Sequence, residues 1–147
     1  MSLGIFLVFA TSNGISQSLI NNDRTYMNKT ALDACPESPN CVCSQVVSKD
    51  HFVAPLTFTG NAQKAFSGLK TAISELPGTR IIVSNNTYLH AEFQTRWLKF
   101  TDDVEAVLDK VGKKIDIRSA SRVGYWDLGT NRRRVETIRR AMLSTPK

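Results

Sequence analysis

Apolar side chains recur with two different periods along the second two-thirds of the chain, and each period predicts an element. Ala62, Ala65, Phe66, Leu69, Ala72, Ile73 and Leu76 fall at i, i+3, i+4, i+7 spacing, one apolar stripe on a helix. Asn61 suits its N-cap, and Pro77-Gly78 stop it. Upstream, His51–Phe58 reads as a strand, with Pro55 placing it at an edge or bend. Downstream, Arg80–Val83 and Tyr88–Thr95 flank Asn85-Asn86, a pair that tolerates the positive φ of a tight hairpin. Alternation in the second of these strands puts Leu89, Ala91 and Phe93 on one face and Tyr88, His90, Glu92 and Gln94 on the other.

A second hairpin is expected from Val104–Asp109 and Lys114–Ser119, turning over 110–113. Centring the turn on Val111-Gly112 sets Glu105 opposite Arg118, Val107 opposite Asp116 and Leu108 opposite Ile115. Ala106, Leu108, Ile115 and Ile117 then share the core face, while Glu105 and Arg118 meet on the outer side. A slip of one residue would reverse both faces, so the register is a sharp expectation. Residues 120–130 read as a polar loop. A last helix over Asn131–Leu143 turns Val135, Ile138 and Met142 inward and leaves Arg132, Arg133, Arg139 and Arg140 mostly facing water. The order β-α-β-β-β-β-α implies an α+β fold: a mainly antiparallel sheet of about five strands with two helices packed on one face.

The first third is different. Met1–Ala10 carries an apolar run of about eight residues, followed by small polar ones, which resembles a secretory leader. It lacks a basic start, its first charge being Asp23, and it lacks a lipobox cysteine, so a truncated anchor or short buried strand is the competing reading. Residues 23–50 show no periodicity and read as an irregular, cysteine-containing arm. The expected division is a leader or its remnant at 1–22, the arm at 23–50 and one α+β domain at 51–147. No run of about 18 apolar residues exists to span a membrane.

The charge is unevenly placed. Nineteen basic against thirteen acidic residues give +6, but residues 110–147 hold 11 basic and 3 acidic (+8), leaving 8 and 10 (−2) for residues 1–109. A basic C-terminal third attracts phosphate, carboxylate or lipid headgroups, or forms a solvated helix face. Nucleic acid is disfavoured as a partner, because Tyr125 and Trp126 beside Asp127 make a poor stacking platform and suit loop anchoring or core roles.

Within that third, Arg118 and Arg122 supply guanidinium forks that grip carboxylate or phosphate in bidentate fashion. Ser119 and Ser121 add hydroxyls, and Asp127, Asn131 and Arg133 lie where free helix N–H groups favour anions. The competing reading gives those arginines to internal carboxylates: Arg118 to Glu105, and Arg122 to Asp102, Asp103 or Asp127. The same Asp102, Asp103 and Glu105 raise a hydrolase reading with one of them as base. Metal binding is disfavoured, since His51 and His90 are isolated and no second acidic cluster accompanies the first. No Gly-x-Ser-x-Gly elbow, phosphate-binding Gly-Lys loop or His-Glu-x2-His occurs, so no catalytic residue and no cofactor are assigned.

Three cysteines sit at 35, 41 and 43, a spacing unlike common zinc sites. A Cys35–Cys41 disulfide would close a short loop holding Pro36 and Pro39 in an oxidising compartment and leave Cys43 unpaired; three reduced thiols are the alternative.

Residues 35–42 (Cys-Pro-Glu-Ser-Pro-Asn-Cys-Val), 100–105 (Phe-Thr-Asp-Asp-Val-Glu), 117–124 (Ile-Arg-Ser-Ala-Ser-Arg-Val-Gly) and 127–134 (Asp-Leu-Gly-Thr-Asn-Arg-Arg-Arg) resemble the uncharacterised family called domain of unknown function 1499. The likeness covers about residues 33–143. Members stand mainly in bacteria and photosynthetic lineages, often behind signal or membrane segments, with no established activity. The resemblance implies export to a periplasm, envelope or organelle lumen, pairing of Cys35 with Cys41, and a shared site formed by 118–134 with 102–105. Cys43 stands where such sequences usually have Ser. The expectation is therefore a secreted, envelope-associated binding or structural module without catalysis. It would take an anionic small molecule or lipid headgroup on an Arg/Ser/Asn cluster, with the hydrolase as alternative.

Overall fold

A computed structural model describes residues 29–95 and 99–144; the expected leader lies outside the described residues. Eight elements follow in chain order. They are β1 (Cys41–Cys43), β2 (Leu56–Thr57), α1 (Ala62–Ser74), β3 (Thr79–Ser84), β4 (Tyr88–Gln94), β5 (Thr101–Asp109), β6 (Lys114–Ser121) and α2 (Thr130–Ser144). They make an α+β fold with a six-stranded sheet in the order β1-β6-β5-β4-β3, β2 pairing the same edge of β6 as β1 does. All these pairings are antiparallel.

The expected hairpin register holds, with Glu105 opposite Arg118, Val107 opposite Asp116 and Leu108 opposite Ile115. Ala106, Leu108, Ile115 and Ile117 join Leu89, Ala91, Phe93 and Val104 on one face, where Phe66, Leu69 and Ile73 of α1 and Val135 and Ile138 of α2 complete the core. Helix α1 starts where its cap predicts: the Asn61 Oδ1 accepts from the Lys64 amide at 2.9 Å. It ends before Gly78, whose φ of 76° and close approach to the Gln94 carbonyl, 2.6 Å from where a Cβ would sit, leave room for no side chain. Asn85 shapes the β3–β4 turn through its side chain, the Oδ1 accepting from the Thr87 and Tyr88 amides at 2.8 Å each.

Three expectations change. The strand expected over His51–Phe58 is reduced to Leu56–Thr57: of residues 50–55 only Phe52 makes a bridge, a single parallel one to Cys43 of β1, and arginines of α2 hold the carbonyls on either side of Val53. Arg132 donates to the carbonyls of Phe52 and Asp50 (2.7 and 2.9 Å), and Arg139 to those of Pro55 and Ala54 (2.8 and 2.6 Å). These two guanidinium groups are clamps, not merely solvated charge.

A sixth strand, Cys41–Cys43, lies inside the segment expected to be irregular; its three residues are all buried, so no alternation marks it. The outer face of the sheet is also not open. Leu32, Cys43, Tyr88 and Val107 form a second buried cluster with Cys35, Val46 and Val83 packed against it, so the chain before β1 covers part of that face. Glu105, expected outward, is only 7% exposed.

Candidate functional site

Strand alternation divides the candidate residues between the two faces of the sheet. On β5 and β6 the pairs Asp102–Ser121 and Val104–Ser119 share the helix-facing side, while Asp103–Ala120 and Glu105–Arg118 share the other. β6 runs through Ser121, two residues further than expected, so Ser121 joins Ser119 as a strand residue facing away from Arg118. The single pocket expected from residues 118–134 is therefore two clusters.

The helix-side cluster centres on Asn131, fully buried in the first turn of α2. Its Nδ2 donates to the Asn40 carbonyl (2.9 Å), the Ser121 hydroxyl (3.0 Å) and Asp127 Oδ2 (2.9 Å). Its Oδ1 accepts from the Ser119 hydroxyl (2.7 Å) and from Arg134 (2.6 Å). Arg134 also pairs with the buried Asp102 and lies 5.2 Å from the Phe93 ring centroid. Asp127 accepts from the amides of Gly129 (2.8 Å) and Asn131 (2.9 Å). The N–H groups expected to draw an anion thus meet the chain's own carboxylate. Arg133 stands apart and exposed, donating to the Leu128 carbonyl at 2.8 Å and to the Thr130 hydroxyl at 3.2 Å.

The outer-face cluster is built on a network of ion pairs. Arg122 grips Asp103 through two bonds of 2.8 Å and reaches Glu92 at 2.5 Å; Arg80 takes the other oxygen of Glu92 at 2.6 Å. His90 Nε2 lies 2.7 Å from Asp103. Burial alone would raise the Asp103 carboxyl, but the Arg122 and His90 hydrogen bonds outweigh it and hold the group below the ordinary aspartate value. Glu92 is held low by the Arg80 and then the Arg122 hydrogen bonds, and Arg122 is raised in turn by its bonds to Asp103 and Glu92. Further along the face, Glu105 accepts from the Tyr88 hydroxyl (2.5 Å) and from Lys29 (2.6 Å), and Arg118 lies 3.6 Å away. Arg118 is largely covered, and its Nε has no hydrogen-bond partner among the described residues.

Sequence reasoning named Arg118, Arg122, Asp103 and Glu105 and set Arg118 against Glu105; for Arg122 it left Asp102, Asp103 and Asp127 open, and the partner in the structure is Asp103. It missed Glu92, Arg80 and Tyr88, although the expected alternation of β4 had already set Glu92 and Tyr88 on this face. It also missed Arg134, the cation that Asp102 meets, for which helical spacing from Asn131 was the available signal. Tyr125 and Trp126, expected as core or anchoring rings, are exposed instead.

Gly78, Thr79, Arg80, Glu92, Gln94, Thr101 and Arg122 line an open polar groove of about 490 Å³ at the end of the sheet. Arg122 uses Nε and one Nη in its carboxylate bonds and Arg80 one Nη, so both keep N–H donors with no partner among the described residues. The carboxylates, by contrast, already serve cations and are weak bases. Among the described residues no group of three or more His, Cys, Asp or Glu is placed to hold a metal ion.

Cys35 and Cys41 form a disulfide, and Cys43 is a free, buried cysteine whose thiol burial pushes up. No helix among the described residues is long and apolar enough to cross a membrane. Both facts are compatible with an exported chain. A family model described as a protein of unknown function (DUF1499) matches residues 31–142, and the chain belongs to that family. No curated protein matches it.

Proposed function

We propose that this member of the DUF1499 family is a non-enzymatic binding module of an envelope or organelle lumen. Its ligand is an anionic oxygen group, phosphate or carboxylate, taken between Arg122 and Arg80. The observation that carries the reading is the state of Arg122: 45% exposed, fixed by Asp103 and Glu92, at the wall of the polar groove, with N–H donors left over. A guanidinium already oriented by carboxylates loses little freedom when it grips a planar or tetrahedral anion. Because Glu92 and Asp103 balance the charge of Arg80 and Arg122, recognition rests on directed hydrogen bonds rather than on net charge.

The carboxylates do not suit catalysis. A general base works best with a pKa near the working pH, and Asp103 and Glu92 are moved the other way. The helix-side residues Ser119, Ser121, Asp127 and Asn131 serve this module by fixing the loop that follows Arg122. Export rests on the Cys35–Cys41 disulfide and the leader-like start.

Titrating the full chain with inorganic phosphate, glycerol phosphate and succinate while following its melting temperature tests the reading. A ligand at a hundred times its Kd stabilises by about 2.7 kcal/mol, and Arg122→Gln should abolish that response. A melting temperature that stays flat across the panel sinks the proposal. Response to phosphate but not to the glycerol ester would point to a free anion rather than a headgroup.

A further inference from the structure

Four large exposed hydrophobics lie within six residues of one loop: Val123, Tyr125, Trp126 and Leu128, exposed by 54, 59, 72 and 85%. Phe100, exposed by 46%, is at the same end of the sheet, since the Arg122 amide donates to the carbonyl of its neighbour Thr101. The loop is not loose. Asn40 donates to the Gly124 carbonyl at 2.5 Å, Asp127 ties the other end to α2, and the Tyr125 and Trp126 rings meet edge to face at 5.2 Å. A fixed backbone therefore holds these side chains out in water, where apolar surface is costly.

Leu128 adds an independent point. Its φ of 51° is in the left-handed region, where Gly or Asn is better suited, and its side chain packs on almost nothing. Neither backbone geometry nor packing calls for leucine there. The loop is also flanked by cations: Arg122, Arg132 and Arg133 are exposed, and no ion pair neutralises Arg132 or Arg133 among the described residues. Asp127 is occupied in capping α2.

We infer that the loop over 122–129 docks the protein on an anionic lipid surface. Trp126 and Leu128 enter the boundary between headgroups and acyl chains, while Arg132 and Arg133 answer the lipid charge. Amphipathic rings with flanking arginines suit that boundary better than they suit a dry protein interface, because one side of the loop stays wet. The inference deepens the binding reading by naming its surface, and it rests on that reading only for the headgroup that would reach Arg122, which begins the loop and walls the groove.

The test is co-sedimentation of the full chain, at low salt, with vesicles of phosphatidylcholine alone or mixed with phosphatidylglycerol. Two arginines at about 1 kcal/mol each, with 1.36 kcal/mol per tenfold, predict roughly thirtyfold stronger binding to the mixed vesicles. Trp126→Ser with Leu128→Asn should weaken it at least about tenfold by removing the apolar contribution. Both side chains are exposed and Asn tolerates the Leu128 backbone, so the variant should keep its melting temperature. The difference in emission between the chain and its Trp126→Phe variant should shift to shorter wavelength on binding. A variant that binds as its parent does, or a parent that ignores anionic vesicles, overturns the inference. Glycerol phosphate separates the two readings: no response there ends the groove proposal alone, and vesicle binding still decides the loop.

Discussion

Replacing Asn131 by Ala removes a side chain that joins α2 to β6, to the segment before β1 and to the loop before α2, and its cost can be worked from the partners it leaves. The Ser119 hydroxyl is fully buried, and the Asn40 carbonyl belongs to a residue only 4% exposed. Each buried polar group left without a partner costs about 1–3 kcal/mol. Ser119 keeps a 3.1 Å contact from Arg134, and Arg134 keeps Asp102, so neither is wholly abandoned. The Asn40 carbonyl still accepts from the Ser121 amide at 3.0 Å, which softens the second loss. Two half-compensated groups and a small cavity give about 2–4 kcal/mol, a large share of the roughly 5–15 kcal/mol of a typical domain.

Urea denaturation followed by far-UV circular dichroism measures that difference through the midpoint, provided the slope m is unchanged. Ser119→Ala placed in the Asn131→Ala background should recover less than about 1 kcal/mol, because it removes a hydroxyl whose proton has lost its acceptor but also the oxygen that Arg134 still meets. A loss below about 1 kcal/mol for Asn131→Ala would refute the view that this amide is a buried, fully used hub.

Three further outcomes follow from the geometry. Because the folded carboxyl of Asp103 lies below its ordinary value of 3.8, its contribution is complete above that pH and fades as pH falls through the lower folded value; Asp103→Asn should flatten this acid limb in stability-versus-pH curves, and an unchanged limb would contradict the pairing. Cys43, buried and with its thiol pushed up, should resist iodoacetamide in the native chain and react only in denaturant; rapid native labelling would contradict its burial. Replacing Cys35 and Cys41 together by Ser opens a loop of sequence separation 6, and chain entropy sets the cost at about 2 kcal/mol, read as a shift in urea midpoint.

Much of the fold was legible in the chain because its signals are local. A 3.6-residue apolar stripe with Asn61 in front and Pro77-Gly78 behind specifies α1 with little help from elsewhere. The β5–β6 register was also readable, since a turn of fixed length and the rule that a slip of one reverses both faces leave a single pairing that buries Ala106, Leu108, Ile115 and Ile117 together. The pairing Glu105–Arg118 followed from that register, whereas Arg122, beyond the expected strand, could be given to Asp102, Asp103 or Asp127, and only the fold selects Asp103. β1 gave no such signal, because three consecutive buried residues have no period.

Local pattern in the chain is enough for the α+β class, the main helices and hairpins, and the opposition of Glu105 and Arg118 across β5 and β6. Only the folded chain shows that β6 continues through Ser121, so that Ser121 joins Ser119 toward the helices while Arg122 stays with Arg118 on the far side. Only it decided that residues before β1 cover that far face. Lys29 meets Glu105 on that face and Asn40 meets Asn131 on the helix side, 76 and 91 residues apart. Periodicity reports what one segment does with its own neighbours; contacts across such distances depend on where separate segments come to rest, and no local pattern encodes that.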